Sequence, residues 1–454
     1  MPVIAGGILY PPREAEYGQA ISRQNAVPNK AHAQWVSRVE KAGPYKAGPE
    51  PPEVLTCGGE IPDGPWEGGW WLPRYMIPHG DARSMVSLPI APHTELQITL
   101  RDYQREALAA WVANGGSGTV VAQCGAGKTC IGIAAISRLT TPALVLVHTL
   151  DLATQWIERV QTQLKDCTVG LVGAGKREDD ARVVVATLQT LARWSWVERC
   201  RWGRRFGLVI QDEVHHAPAR TFSEVLSSMP ARYRMGLTAT PHREDGLSDW
   251  VVWSCGPIVA EIDNRRLEEV GATMRPKISR IKTYWQPPRD AETYAALITS
   301  CCEDEDRNQV LLDVIAGQIS LGRITLMLSD RVKHCRHIAA QLNARHGEGT
   351  CAALVGTVSK KRRGEILEAA RAGTLKAITA TTIADEGLDV PSLDTVVLGC
   401  PSRHLGRIQQ RIGRALRPSP GKGQPMVIDV CDPWGPAMGY AKRRASLYKR
   451  LGWE

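Results

Sequence analysis

Paired cysteines are what this chain most plainly lacks. It has twelve cysteines in 454 residues, and no two stand in a CxxC spacing. That pattern argues against a zinc knuckle and against a disulfide framework, and fits scattered, reduced thiols. Only a metal site assembled by the fold from distant residues stays open. Also missing is any run approaching the roughly eighteen apolar residues of a membrane span. The opening residues, "MPVIAGGILYPPREAEYG", show no basic segment followed by a long apolar core, so no secretory signal is expected. The reading is a soluble intracellular protein, cytoplasmic, with no membrane partner.

Proline and glycine are unevenly spread. Residues 1–95 hold fourteen of the 29 prolines and eleven glycines. The stretch "KAGPYKAGPEPPEVLTCGGEIPDGPWEGGWW" excludes a long helix or a central strand, because proline removes a donor and glycine adds backbone entropy. One short helical candidate is "KAHAQWVSRVEKAG". Trp66, Trp70 and Trp71 either pack a small irregular domain or offer stacking platforms to single strands. The same region carries eight Lys/Arg against ten Asp/Glu, so the formal charge of +9 belongs entirely to the rest of the chain. A basic remainder favours a polyanion such as nucleic acid.

From residue 99 the texture changes. "TLRDYQREALAAWVAN" is an amphipathic helix, "GTVVAQ" a buried strand and "GKTCIGIAAISRLT" a helix, followed by the strands "ALVLVH", "RVVVAT" and "FGLVIQ". A second series of the same kind runs from near residue 300, through the strands "RITLMLS", "CAALVG", "KAITAT" and "TVVLG". Apolar strands alternating with helices predict parallel sheets covered on both faces. Five segments result: an accessory region 1–95 rich in Pro, Gly and Trp, an α/β domain 96–259, a connector 260–298, a second α/β domain 299–435 and a basic tail 436–454. The tail either closes a helix over a duplex or is a solvated end. A cleft between the two domains is the first place expected to hold a ligand.

The stretch "VVAQCGAGKTC" places a strand, a glycine-containing turn and a helix in that order. Gly125 and Gly127 permit a turn whose N–H groups wrap a phosphate. Lys128 reaches the β/γ-phosphates, and Thr129 offers its hydroxyl to Mg²⁺. The helix start behind them favours an anion. Ala122 stands where the general GxxxxGK[ST] pattern has glycine. Such a loop needs a carboxylate at the end of a neighbouring strand, and "FGLVIQDEVHH" supplies one. Asp212 is expected to hold Mg²⁺ and Glu213 to polarise the attacking water. His215 and His216 stand side by side, whereas a zinc pair of the HExxH kind needs histidines four apart, so a metalloprotease is excluded.

These stretches carry a resemblance. "DEVH" resembles the DExH form of motif II in superfamily 2 helicases, and "AQCGAGKT" is similar to that superfamily's motif I, in which alanine at position 122 is normal. "LRDYQREAL" resembles the adenine-side motif, "LVHTLDLATQW" motif Ia, "VVVATLQTL" motif Ib, "GLTATP" motif III, "ATTIADEGLDVPSLDTVVL" motif V and "QQRIGRALRP" motif VI. The continuation "GLTATPHREDG", with "LSDRVKHCRHIAAQL" and "DEDRNQVL", is similar to the XPB/Rad25-like branch and to the restriction-enzyme motor (Res) subunits beside it. The resemblance covers about residues 98–432 and leaves out residues 1–95.

It implies two tandem RecA-like P-loop domains with parallel sheets, plus a small irregular N-terminal region, and ATP and Mg²⁺ as cofactors. Gln104 would pair with the adenine edge, with Arg101 or Tyr103 near the base. Gly387 and Asp389 would lie on the nucleotide side of motif V. Thr149, Gln155, Thr187, Gln189, Thr381 and Thr382 are the candidate contacts to a nucleic-acid backbone, and Thr238 and Thr240 link that track to the nucleotide. Arg414 is the candidate arginine finger, Arg411 its γ-phosphate partner and Gln410 an auxiliary contact. Their i, i+3 spacing puts both arginines on one helical face. Arg243, Glu244 and Asp245 stand either near a duplex junction or in an interdomain ion cluster.

The expected function is a DNA helicase or translocase of repair or replication, in a bacterium or a phage-infected cell. It would act on single-stranded, duplex or forked DNA in preference to RNA. Rival readings are a duplex translocase or branch remodeller that does not separate strands, a restriction motor working with a nuclease partner, and a nucleic-acid-binding protein that does not hydrolyse ATP.

Overall fold

The computed structural model describes residues 88–454 except 124, 215–219, 240–247, 289–292, 382–389 and 403–404, and before residue 88 only short strand pieces and Gln19. The expected helix "KAHAQWVSRVEKAG" and Trp66 lie outside the described residues. Two compact units emerge, residues 1–122 with 127–261 and residues 123–126 with 262–454. Each is a sheet flanked by helices, and together they are tandem RecA-like α/β domains with an N-terminal region. In that region Ile8–Tyr10 pairs with Trp70–Leu72, and Val3–Ile4 with Arg83–Ser84.

The first unit holds an eight-stranded sheet. Its strands are β1 (Ser117–Ala122), β2 (Ala143–Val147), β3 (Val169–Gly173), β4 (Lys176–Arg177), β5 (Val183–Thr187), β6 (Leu208–Asp212), β7 (Tyr233–Thr238) and β8 (Ile258–Ile262). Their order is β4-β3-β5-β2-β6-β7-β1-β8. The pairings from β3 through to β1 are parallel. Helix α1 (Asp102–Ala113) precedes β1, α2 (Lys128–Arg138) follows β1 and α3 (Leu150–Gln163) follows β2. Every residue of β2 is fully buried, which is why the strand is a continuous apolar run and not an alternating one.

Parallel strands collect their C-terminal ends along one edge of the sheet. The opposite edge is fastened by two buried arginines. Arg234, at the start of β7, donates to Leu226 O at 2.9 Å, Met229 O at 2.5 Å and Ser254 O at 3.2 Å. Arg182, just before β5, donates to Pro92 O at 3.2 Å, Leu139 O at 2.6 Å and Thr141 O. A guanidinium has five donors and no acceptor, so it can satisfy several loop carbonyls at once.

The second unit holds six strands: β9 (Lys277–Lys282), β10 (Thr325–Leu328), β11 (Cys351–Leu354), β12 (Ala377–Ala380), β13 (Thr395–Leu398) and β14 (Met426–Cys431). They lie in the order β9-β14-β13-β10-β12-β11, parallel throughout. Four of its helices matter below: α4 (Glu305–Ser320), α5 (Val332–His346), α6 (Leu405–Ala415) and α7 (Gly435–Arg450).

Two segments take a form that the sequence reading left open. The connector 260–298 contributes β9, an edge strand of the second sheet. The basic tail is helix α7, and it is not simply solvated. Its Arg444 donates from Nε to Asp429 Oδ1 at 2.8 Å, and the Tyr448 hydroxyl donates to Asp429 Oδ2 at 3.1 Å. All three residues are buried. An aspartate inside a strand must find such partners, because a buried unpaired carboxylate is very costly.

A second polar network lies nearby. Arg307 on α4 donates to Asp432 at 2.7 and 3.1 Å and to Gly399 O at 3.0 Å, while Thr283 Oγ1 donates to Asp432 at 2.7 Å. His334 on α5 sits between Ser329 Oγ and Asn308 Oδ1, each 2.9 Å from a ring nitrogen. Burial, reinforced by the Arg307 charge, pulls the His334 ring down to about 3. The ring is therefore neutral in the fold, while an unfolded chain protonates it near pH 6.5. Protons below that pH bind the unfolded chain preferentially and destabilise the fold progressively toward pH 3. Lowering the pH from 7.5 to 5.5 is expected to cost about 1.4 kcal/mol through this ring. Unfolding of the wild type and His334→Gln at both pH values checks this, and the variant should show the smaller pH difference.

Candidate nucleotide and nucleic-acid site

The C-terminal edge of the first sheet brings the sequence candidates together. Along it, β5 ends at Thr187, β2 is followed by Thr149, β6 ends at Asp212, β7 ends at Thr238 and β1 leads into the glycine loop. Ligands of open parallel sheets bind at this edge. The pairing register sets Asp212 against Leu237 and Thr238 against Val121, so the acidic pair and the loop are two strands apart.

The loop turns through two left-handed glycines, Gly125 at φ +91° and Gly127 at φ +75°. Gly127 is needed for space as well. A Cβ there would lie 2.4 Å from Gln104 Nε2, so the amide of Gln104 is packed onto the loop. Gln104 is buried on α1, and its Oε1 accepts the Arg101 N–H at 3.0 Å. The Arg101 side chain also bears on Tyr103, a buried phenol whose acidity is lowered mainly by burial.

Lys128 opens α2, and its Nζ donates to Ala122 O at 3.1 Å and lies 3.9 Å from Glu213 Oε1. Thr129 follows it on the same helical turn, half-buried. Asp212 is buried, with both oxygens engaged: Oδ2 accepts the Trp156 indole N–H at 2.7 Å and Oδ1 accepts the Glu213 N–H at 3.0 Å. Glu213 itself has φ +49°, a left-handed backbone rare for a residue with a side chain. Burial first, then the Glu213 carboxylate, raises the Asp212 carboxyl above its usual range, against the pull of Trp156 and Lys128.

The backbone-contact candidates are locally engaged. Thr149 caps α3, its Oγ1 accepting the Leu152 N–H at 3.3 Å. Thr187 and Thr190 hydroxyls lie 2.8 Å apart, and exposed Gln189 donates to His148 O at 2.7 Å. Gln155 is half-buried on α3, beside Trp156. In the second unit Thr381 is buried just past β12. Arg411 is buried on α6 with Asp330 3.9 Å away, while Arg414 and Gln410 are half-buried. His215, His216, Thr240, Arg243, Glu244, Asp245, Thr382, Gly387 and Asp389 lie outside the described residues.

Sequence reasoning missed two partners. Trp156 holds Asp212, and Asp330 faces Arg411; neither belongs to a charge pattern visible along the chain. The only signal for the first is a tryptophan directly after Gln155 in "LATQW".

Comparison with known proteins bears on this geometry. The family model for the type III restriction enzyme res subunit matches residues 97–243, and that for the helicase conserved C-terminal domain matches 306–419. Both halves of the chain are thus similar to motor segments of restriction enzymes and helicases. It is 29% identical to the DNA 3'-5' translocase XPB2 of Sulfurisphaera tokodaii, over 73% of this chain and 81% of that protein. It is also 29% identical to a protein of Acanthamoeba polyphaga mimivirus that carries an ATP-dependent RNA helicase name, over 74% of this chain. Here the chain spans only 64% of the relative's length. A fragment assigned to an HsdR subunit of a type I restriction enzyme from Vibrio vulnificus YJ016 shares the fold, with a TM-score of 0.60 at 18% identity over 77% of this chain and 66% of that one. No helix among the described residues is long and apolar enough to cross a membrane.

The Gly127 contact is directly testable. Gly127→Ala forces a side chain into a left-handed backbone, a cost of about 1–2 kcal/mol, and drives its Cβ into the Gln104 amide. Denaturant unfolding should show at least that loss. Adding Gln104→Ala should recover the steric part and leave the backbone part.

Proposed function

We propose that this chain is an ATP- and Mg²⁺-dependent nucleic-acid motor that moves along or unwinds DNA. The observation that carries the reading is the convergence of Lys128, Thr129, Asp212 and Glu213 at one sheet edge, with Lys128 Nζ 3.9 Å from Glu213. Resemblance in the motif order along both units supports the XPB/Rad25-like branch. Residues 96–259 serve as the nucleotide-binding domain and 299–435 as the second motor domain.

The residues present fit Mg²⁺. That ion keeps several waters and takes one or two protein oxygens beside the phosphates. A buried carboxylate and a helix-start hydroxyl, Asp212 and Thr129, are such a donor set. A cluster of three or more metal-binding side chains, which the described residues lack, is not required. When bound, the ion would supply neutralisation of phosphate charge.

Glu213 takes the proton of the attacking water. Without a phosphate its charge is matched by Lys128. A γ-phosphate draws Nζ to itself and leaves the carboxylate basic, so the base is exposed only when substrate is present. Gln104 and Arg101 read the adenine side, with Gly125 and Gly127 around the phosphates and Gly387 and Asp389 contributing from motif V. Arg414 is the finger that meets charge spreading over the γ-phosphoryl oxygens, with Arg411 and Gln410 beside it. Neutral donors at Thr149, Gln155, Thr187, Gln189, Thr381 and Thr382, with Arg243, grip the strand without reading its bases.

A duplex translocase that leaves strands paired is the second reading, favoured by the translocase name of the Sulfurisphaera relative. Steady-state phosphate release with no nucleic acid, single-stranded DNA, duplex DNA, forked DNA and RNA ranks the two. DNA should stimulate the rate strongly, Lys128→Ala should abolish it, and Glu213→Gln should lower kcat by about a hundredfold or more with nucleotide affinity kept. A preference for duplex over forked DNA selects the translocase. A flat, Lys128-independent rate overturns the motor and leaves a binding protein.

A further inference from the structure

Trp156 is buried, near the middle of α3, and does not belong to the set of residues proposed above. Its indole occupies a defined slot. The tip reaches α2 at Gly132, where a Cβ would lie 2.7 Å from Cη2. The pyrrole edge reaches the end of β6, where Nε1–H meets Asp212 Oδ2 at 2.7 Å. One side chain on α3 thus joins the helix that begins at Lys128 to the strand that ends at Asp212.

An indole N–H is a donor only, so this contact can orient an acceptor and nothing else. Asp212 has two side-chain torsions. With Oδ2 held by the indole and Oδ1 by the Glu213 N–H, both are set. Outer partners of this kind order a metal-binding carboxylate before the metal arrives. We propose that Trp156 is a positioning residue for the metal-binding carboxylate Asp212, acting through its indole N–H. The inference rests on the reading of Asp212 as a Mg²⁺ residue.

The test needs no turnover. Mn²⁺ stands in for Mg²⁺ as an electron-paramagnetic probe, titrated into the full chain with the imido analogue of ATP. Trp156→Phe keeps most of the ring and loses the N–H, and should weaken Mn²⁺ about tenfold or more, the usual effect of losing such an outer partner. Affinity for the analogue in EDTA should stay within about twofold. Gly132→Ala keeps the N–H but crowds the indole, and should weaken Mn²⁺ in the same direction.

Trp111→Phe is the control. That indole donates to Arg234 O at 2.8 Å, at the far end of β7 from the site. Its loss should lower the unfolding temperature and leave Mn²⁺ affinity unchanged. If Trp156→Phe binds Mn²⁺ as tightly as a wild type that does bind it, the positioning role is overturned and the motor reading stands. If Trp111→Phe weakens Mn²⁺ as much as Trp156→Phe, the effect is general destabilisation and the inference is again overturned. A wild type that binds no Mn²⁺ with the analogue removes the metal site, and the inference with it.

Discussion

A carboxylate buried at the end of a strand constrains the whole first unit. Asp212 ends a central strand of the sheet, between β7 and the apolar β2, and is itself buried, so water supplies little of its solvation. Burial raises its carboxyl, and an indole N–H, a backbone N–H and a lysine pull the other way, delivered by α3, by the following residue and by α2. Each donor arrives only if its element is seated. α2 must follow β1 through two left-handed glycines, and α3 must lie close enough to α2 that position 132 has no side chain. The left-handed Glu213 then places a second carboxylate against the same lysine. Glycine positions and helix packing thus bear directly on how this one carboxylate is held.

Much of this was legible from residue order, because the relevant signals are local. Unbroken apolar strands, a glycine turn before a lysine, and a carboxylate pair after a strand all occupy a few consecutive residues. Contacts between distant residues were not legible. The tail "YAKRRASLYKR" looks like a solvated basic end, yet Arg444 and Tyr448 are buried because Asp429 sits inside β14. Nothing local to either segment announces the pairing. Likewise "RPKISRIK" has its two isoleucines three apart, a spacing that does not mark a strand, and its partner β14 lies far along the chain. Trp156 reads as an ordinary core tryptophan until Asp212 is placed beside it.

Buried arginines are satisfied in two ways. In the first unit, Arg182 and Arg234 are met by backbone carbonyls, neutral acceptors, while Arg199 is met by both carbonyls and the Glu224 carboxylate. In the second, Arg307 and Arg444 are met by the full charges of Asp432 and Asp429. Breaking one such pair leaves an uncompensated ion, with a penalty of about 3–5 kcal/mol. The second sheet is therefore intolerant of substitutions at Asp429 and Asp432.

The arrangement of β9 beside β14 also has a bearing on biosynthesis. The first strand of the second unit to leave the ribosome pairs with the last one. Until β14 and the helix after it are made, β9 has an unpaired edge and Asp429 has no arginine. The eight-stranded sheet of the first unit, by contrast, has all its strands in hand before β9 is translated. Vectorial synthesis should thus yield an early, finished unit and a second one that closes late, with non-local pairing as its slow step.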